Sequence, residues 1–161
     1  LTFVRNFIHL MHMPQSVYQL VYISRATRSL DDAELDRLAS GAKRFNDGHA
    51  ITGLLLHDGG RFIQALEGRR IYVETVMKRI ESDPRHDSIA YVERRPVSAR
   101  QFGGWSMDVR RIYDRQDAQA FLTDLKQTLA SVDDHRLVAA FIGFTMLGSP
   151  GLRAQRTPPE A

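Results

Sequence analysis

Residues 51–68 read ITGLLLHDGGRFIQALEG. Two apolar runs, Ile51–His57 and Arg61–Glu67, flank Asp58-Gly59-Gly60. That spacing predicts a β-hairpin, because glycine supplies the positive φ that a tight turn needs. Side chains alternate along a strand, so Phe62, Gln64 and Leu66 share one face while Arg61 and Glu67 lie on the other. Gln64 is therefore directed, with two large apolar groups, toward a core. A carboxamide carries two donors and an acceptor with two lone pairs. Left unpaired in a core it costs about 1–3 kcal/mol, so something polar has to meet Gln64.

Upstream, Val17–Ser24 is rich in Val, Tyr and Ile and apolar on both faces, which predicts a central strand. Tyr22 shares a face there with Tyr18 and Leu20. Asp31 and Glu34 form a capping-box pattern, with Leu30 and Leu35 placed as a hydrophobic staple. Leu35, Leu38, Ala42 and Phe45 then repeat at helical spacing. Downstream, Gly68 ends the hairpin, and a helix is predicted over Ile71–Ser82, with Val73, Val76, Met77 and Ile80 inward and Pro84 as its stop. Ser88–Glu93 predicts a fourth strand and Trp105–Ile112 a fifth, separated by a basic loop with Arg94, Arg95 and Arg100. Two amphipathic helices are expected near Ala118–Leu129 and Asp134–Phe144.

The order strand, helix, strand, strand, helix, strand is an α+β, ferredoxin-like plan. A βαββαββ sheet with two helices on one face is expected, plus C-terminal helices. In that plan the first and third strands are neighbours, so Tyr22 and Gln64 meet beneath the helices. The pair reads either as a satisfied core contact or as the wall of a ligand site, and patterning alone favours the first. Asn46, in Arg44-Phe45-Asn46-Asp47-Gly48, reads as a residue just past a helix end. Arg85 and His86 read as loop residues, and Trp105 and Met107 as core on one side of the last strand.

The 161 residues are 43% hydrophobic, enough for one domain with a real core. The expected partition is a leader over 1–13, a domain over 14–112, a helical extension over 113–146 and a disordered polar tail over 147–161. Lys and Arg number 22 against 19 Asp and Glu, a net +3 that by itself points to no nucleic acid. No cysteine is present, which excludes disulfides and thiolate chemistry and fits a cytoplasmic setting. No apolar run approaches the ~20 residues of a membrane span. His9 and His12 sit in the leader and read as incidental.

Taken together, Leu20-Val21-Tyr22-Ile23-Ser24, Asn46 followed by Ile51-Thr52-Gly53-Leu54-Leu55, Phe62 to Gly68, Asp83-Pro84-Arg85-His86 and Arg100 to Met107 resemble the BLUF family, sensors of blue light using FAD. The resemblance runs in register from about Val17 to Val109. It implies a noncovalent FAD between the two helices, with Asn46 and Arg85 at the polar edge of the flavin and His86 close by. It implies that Tyr22 and Gln64 are the photoactive pair and that Trp105 and Met107 respond to a change at Gln64. The family often has Ser where Ala42 stands and a polar residue where Phe45 stands. Those departures bear on spectral tuning and recovery.

The resemblance further implies a sensor and not an enzyme, signalling to a partner protein, with homo-oligomers expected and neither nucleic acid nor membrane as partner. Phe121, Leu122, Leu125, Leu129, Phe141 and Ile142 are candidates for the output surface or, equally, for packing onto the sheet. Two other classes share the plan. An RNA-binding module needs strand aromatics on an open sheet face, whereas Tyr22 and Phe62 point beneath the helices. An acylphosphatase-like enzyme needs an anion-cradling loop after the first strand, where Ser24-Arg25-Ala26-Thr27 stands.

Overall fold

The computed structural model describes residues 16–112 and 118–148, and the expected leader and the expected tail beyond 148 lie outside them, whereas Leu147 and Gly148, counted with that tail, end the last helix. The elements are β1 (Val17–Ala26), α1 (Asp32–Gly48), β2 (Thr52–His57), β3 (Arg61–Gly68), α2 (Arg70–Glu81), β4 (His86–Val97), β5 (Asp108–Arg111), α3 (Ala118–Thr128), a 3-10 turn (Leu129–Ser131) and α4 (His135–Gly148). The sheet order is β4-β1-β3-β2-β5. The antiparallel pairs β4/β1, β1/β3 and β3/β2 are joined by a parallel β2/β5 pair. The ferredoxin-like arrangement is present, with β1 and β3 side by side at its middle.

Local chemistry accounts for the boundaries. At the start of α1 the Asp31 carboxylate accepts from the Glu34 N–H at 2.7 Å, and Glu34 accepts from the Asp31 N–H at 3.1 Å. Such a reciprocal cap satisfies two otherwise orphaned donors. Leu30 packs against the cluster that contains buried Leu35, completing the staple. Gly59 takes φ +87° in the hairpin turn, where a side chain would be strained.

The alternation of β1, β2 and β3 divides the core in two. Leu20, Tyr22, Leu55, Phe62 and Leu66 face Leu35 of α1 and Val73 and Met77 of α2. Val21, Leu54, Leu56, Ile63 and Ala65 face Leu125, Leu129, Leu137, Phe141 and Phe144. The C-terminal helices thus cover the face that α1 and α2 leave open. Phe121, Leu125, Leu129, Phe141 and Ile142 pack onto the sheet there. Tyr22 and Phe62 are sealed beneath α1 and α2, so neither offers a stacking face to RNA.

Three expectations are corrected. β4 runs on to Val97, so Arg94 and Arg95 lie on a strand and not in a loop. β4 is an edge strand, and Pro96 is tolerated there because an edge need not donate on its open side. The last strand is only Asp108–Arg111, so Trp105 and Met107 precede it in an irregular segment. Asn46 lies within the last turn of α1, not past it.

Strand β2 approaches β3 unusually closely at Gly53, where an added Cβ would meet the Ala65 carbonyl oxygen at 2.1 Å. Gly53→Ala is expected to destabilise the fold by about 2–3 kcal/mol, the scale of overpacking against a backbone that cannot yield. Gly143, inside α4 with open space around its Cα, is expected to gain about 0.5–1 kcal/mol on replacement by alanine. Urea unfolding midpoints of the two variants check both signs, and equal midpoints would contradict the account.

Candidate functional site

Tyr22 and Gln64 are register partners on β1 and β3. The Tyr22 hydroxyl donates to Gln64 Oε1 at 2.6 Å, with both side chains buried. Burial pushes the Tyr22 phenol pKa far above the ordinary tyrosine value. It therefore stays protonated and remains a donor. On its other side the Gln64 amide nitrogen faces Met107 Sδ at 3.4 Å. Sulfur is a weak acceptor and has no hydrogen to give. Met107 is thus a partner for the amide nitrogen and not for the amide oxygen.

Above this pair lies a cavity of about 470 Å³ between α1 and α2. Tyr22, Leu55 and Gln64 form its floor. Leu38, Ala42 and Phe45 of α1 and Val76 and Ile80 of α2 form apolar walls. Asn46, Arg85 and His86 reach the same cavity, so Tyr22, Asn46, Gln64, Arg85 and His86 converge on one space. Two apolar walls with polar groups at the edge fit a flat aromatic ring that carries heteroatoms on one side.

The polar groups are held by further contacts. Asn46 donates from Nδ2 to the Ser106 carbonyl at 2.8 Å, and its backbone carbonyl accepts from the N–H groups of His49 and Ile51. His86 Nδ1 shares a hydrogen bond with Ser24 Oγ at 2.9 Å, and its ring lies 4.6 Å from that of Phe62. Arg85 clasps the Asp83 carboxylate through Nε and Nη2. Burial pushes the Asp83 pKa up, but side-chain and backbone hydrogen bonds from Arg85 outweigh it and bring the net shift down. Trp105 sits apart from Gln64. It packs against Phe102 and the cluster beneath the C-terminal helices, with ring centroids 5.7 Å apart. Of the two residues expected to respond to Gln64, Met107 is the one beside it.

Arg37 and Arg79 also line the cavity, with the Arg79 guanidinium 4.2 Å above the Phe45 ring. The sequence patterning singles out neither. Ser24 and Asp83, which hold His86 and Arg85, fall inside the stretches that carry the resemblance, but no periodicity marks their roles: Ser24 meets a ring 62 residues away, and Asp83 an arginine two residues on.

Comparison with known proteins decides what this arrangement belongs to. The family model described as sensors of blue-light using FAD matches residues 17–108. The chain belongs to the BLUF family. It is 40% identical over 83 residues to the photoactivated adenylate cyclase subunit beta of Euglena gracilis, covering 52% of this chain and 10% of that protein. The dark-state structure of the BLUF protein BlrB superposes with a TM-score of 0.61 at 27% identity, covering 80% of this chain and 99% of that one. Klebsiella pneumoniae BlrP1 with FMN and cyclic diGMP superposes with a TM-score of 0.64 at 32% identity, covering 79% of this chain and 34% of that one. The chain spans about a tenth of the cyclase subunit's length, so the shared part is the BLUF sensor module. Among the described residues, no helix of this BLUF chain is long and apolar enough to cross a membrane.

His57 continues the row of rings on the cavity face, 4.5 Å from Phe62, and its buried Nε2 has no hydrogen-bond partner among the described residues. Burial lowers the pKa of both His57 and His86 below the ordinary 6.5. Below pH 6.5 the unfolded chain therefore binds more protons than the folded one, and stability falls as pH falls. A loss of stability between pH 7 and pH 5 is expected. His57→Phe, which keeps the ring and removes the orphaned nitrogen, should flatten that loss and add about 1 kcal/mol at pH 7. Denaturant titrations at the two pH values check this, and a steeper decline in the variant would contradict it.

Proposed function

We propose that this chain is a blue-light photoreceptor that holds FAD noncovalently between α1 and α2, with Tyr22 and Gln64 as its photoactive pair. The observation that carries the reading is the buried 2.6 Å bond between them, which opens onto the cavity. Bound flavin supplies blue-light absorption and a strongly oxidising excited state. Asn46, Arg85 and His86 hold its polar edge. Arg37 and Arg79 lie where a phosphate-bearing tail would leave the space between the helices. Guanidinium forks suit such phosphates, and two phosphates in FAD make better use of them than one in FMN.

Tyr22 would be the donor of an electron and its phenolic proton to the light-excited flavin and would recover both, so that neither is changed in oxidation state at the end. Gln64 reorganises in between, by rotation or tautomerisation, because a planar amide offers a donor at one end and an acceptor at the other. In the arrangement present, Gln64 accepts from Tyr22 and points its nitrogen at Met107. Half a turn of the amide exchanges these roles. Its oxygen would then face Met107, which cannot donate, and would have to find its donor in the cavity. The two orientations therefore present different hydrogen bonds to whatever occupies the cavity, which is the basis of a spectral shift.

The output is read as a change in how the segment carrying Trp105 and Met107 packs against α3 and α4, passed to a partner protein. Homo-oligomers and a cytoplasmic setting are part of the same proposal. The chain acts as a sensor and not as a catalyst.

The purified protein is expected to be yellow, with flavin bands that move reversibly to longer wavelength under blue light. Tyr22→Phe and Gln64→Leu should keep the flavin and lose the shift, and a normal photocycle in either would contradict the roles assigned. Arg79→Ala should weaken FAD about ten-fold while leaving riboflavin nearly unchanged, the scale of one charge-assisted phosphate contact. Fluorescence titration of the apoprotein with both ligands separates these outcomes, and equal losses would remove Arg79 from the phosphate site.

A further inference from the structure

The segment from Gln101 to Met107 is fastened at both ends and in the middle. At its far end the Met107 sulfur faces the Gln64 amide, and the Ser106 carbonyl accepts from Asn46. In the middle, the Trp105 carbonyl accepts from the Gly53 N–H at 2.9 Å, and the Trp105 N–H donates to the Phe102 carbonyl at 3.0 Å. At its near end the buried Glu67 carboxylate accepts from the backbone N–H groups of Gln101 and Phe102 at 2.9–3.0 Å. Gln19 Nε2 and Thr52 Oγ1 donate to the same carboxylate. Gln64 and Glu67 lie three residues apart on β3 with opposite facings, and they grip opposite ends of one strap.

Gln101 extends that grip to the last helix. Its Oε1 accepts from the N–H groups of Asp133 at 2.8 Å and Asp134 at 3.2 Å. Asp134 is the N-cap of α4. Its Oδ1 accepts from the N–H groups of Arg136 and Leu137, its carbonyl accepts from Val138, and Oδ2 pairs with Arg95. Beside it, buried Phe102 packs on Phe141 of α4, with centroids 6.1 Å apart.

We infer that Gln101 is the positioning residue that couples the flavin-side face of the sheet to α4, through its paired hold on the Glu67 carboxylate and on the N-cap of that helix. The inference rests on reading Gln64 as the photoactive amide. A reorganised Gln64 changes the bond to Met107. The strap is stiffened by its own backbone bonds and pivots on Glu67, so that change arrives at the start of α4. Coupling of this kind requires that both ends bias one shared element. The strap meets that requirement with bonds at each joint.

The test uses the flavin-loaded full chain, with hydrogen exchange of the α4 amides measured in darkness and under blue light and absorption recorded on the same samples. Wild type, Gln101→Leu and Gln101→Glu, which retains an acceptor oxygen, are compared. All three should show the red shift. Wild type and Gln101→Glu should show a light-dependent change in exchange over Arg136–Phe141. Gln101→Leu should exchange about five-fold faster there in the dark, as expected for a lost cap contact, and show no light-minus-dark difference. A difference retained in Gln101→Leu overturns the inference while the photochemical reading stands, as does a red-shifting wild type with unchanged α4. A wild type with no red shift overturns both together.

Discussion

Placing a carboxamide on the inner face of a central strand is the constraint from which the rest follows. Gln64 is flanked on β3 by Phe62 and Leu66 and cannot reach solvent, so every hydrogen bond it makes must be supplied by the protein or by a guest. Tyr22 provides one, and burial keeps that phenol protonated so that the bond persists. Met107 supplies only a weak acceptor on the other side. A glutamine held firmly at one end and loosely at the other is poised to rearrange. The cavity above it gives that rearrangement something to act on.

The sheet separates two jobs. One face, under α1 and α2, holds the cavity and the photoactive pair. The other face is covered by α3 and α4. The segment between β4 and β5 passes from one face to the other and so connects them. Met107 lies on the cavity side, whereas Phe102 and Trp105 lie in the core of the opposite side. Glu67, on the same strand as Gln64 but facing the other way, ties that segment to the middle of the sheet. A buried carboxylate satisfied by backbone and side-chain donors is costly to disturb, which suits it to serve as a fixed point.

The fold was legible wherever local chemistry and periodicity agree. The Asp31–Glu34 cap, the Gly59 turn and the alternation through Phe62, Gln64 and Leu66 each describe a structure that forms largely from its own residues. Beyond them, the sequence misled where tertiary pairing overrode local signals. β4 continues through Pro96 because β1 pairs with it along its length. Trp105 and Met107 lie outside the last strand because the backbone there is bonded elsewhere, Trp105 to Gly53 and Phe102, and Ser106 to Asn46 of α1. The convergence of Tyr22 and Gln64 followed from parity once the strand order was assumed. Arg37 and Arg79 line the space between α1 and α2 from separate helices, and Ser24 meets His86 from far away in the chain, so no local pattern marks them, while Asp83 holds its neighbour Arg85 in a loop without periodicity.

The central claim is that the Gln64 amide changes its hydrogen bonds on illumination. Light-minus-dark infrared difference spectra of protein carrying ¹³C at the glutamine side-chain carbonyl read this directly, since Gln64 is the glutamine that lines the cavity. The account expects an isotope-sensitive carbonyl band that shifts on illumination, reverts in the dark and is missing from Gln64→Leu. A flavin signal that changes with light while no glutamine carbonyl band moves would contradict it.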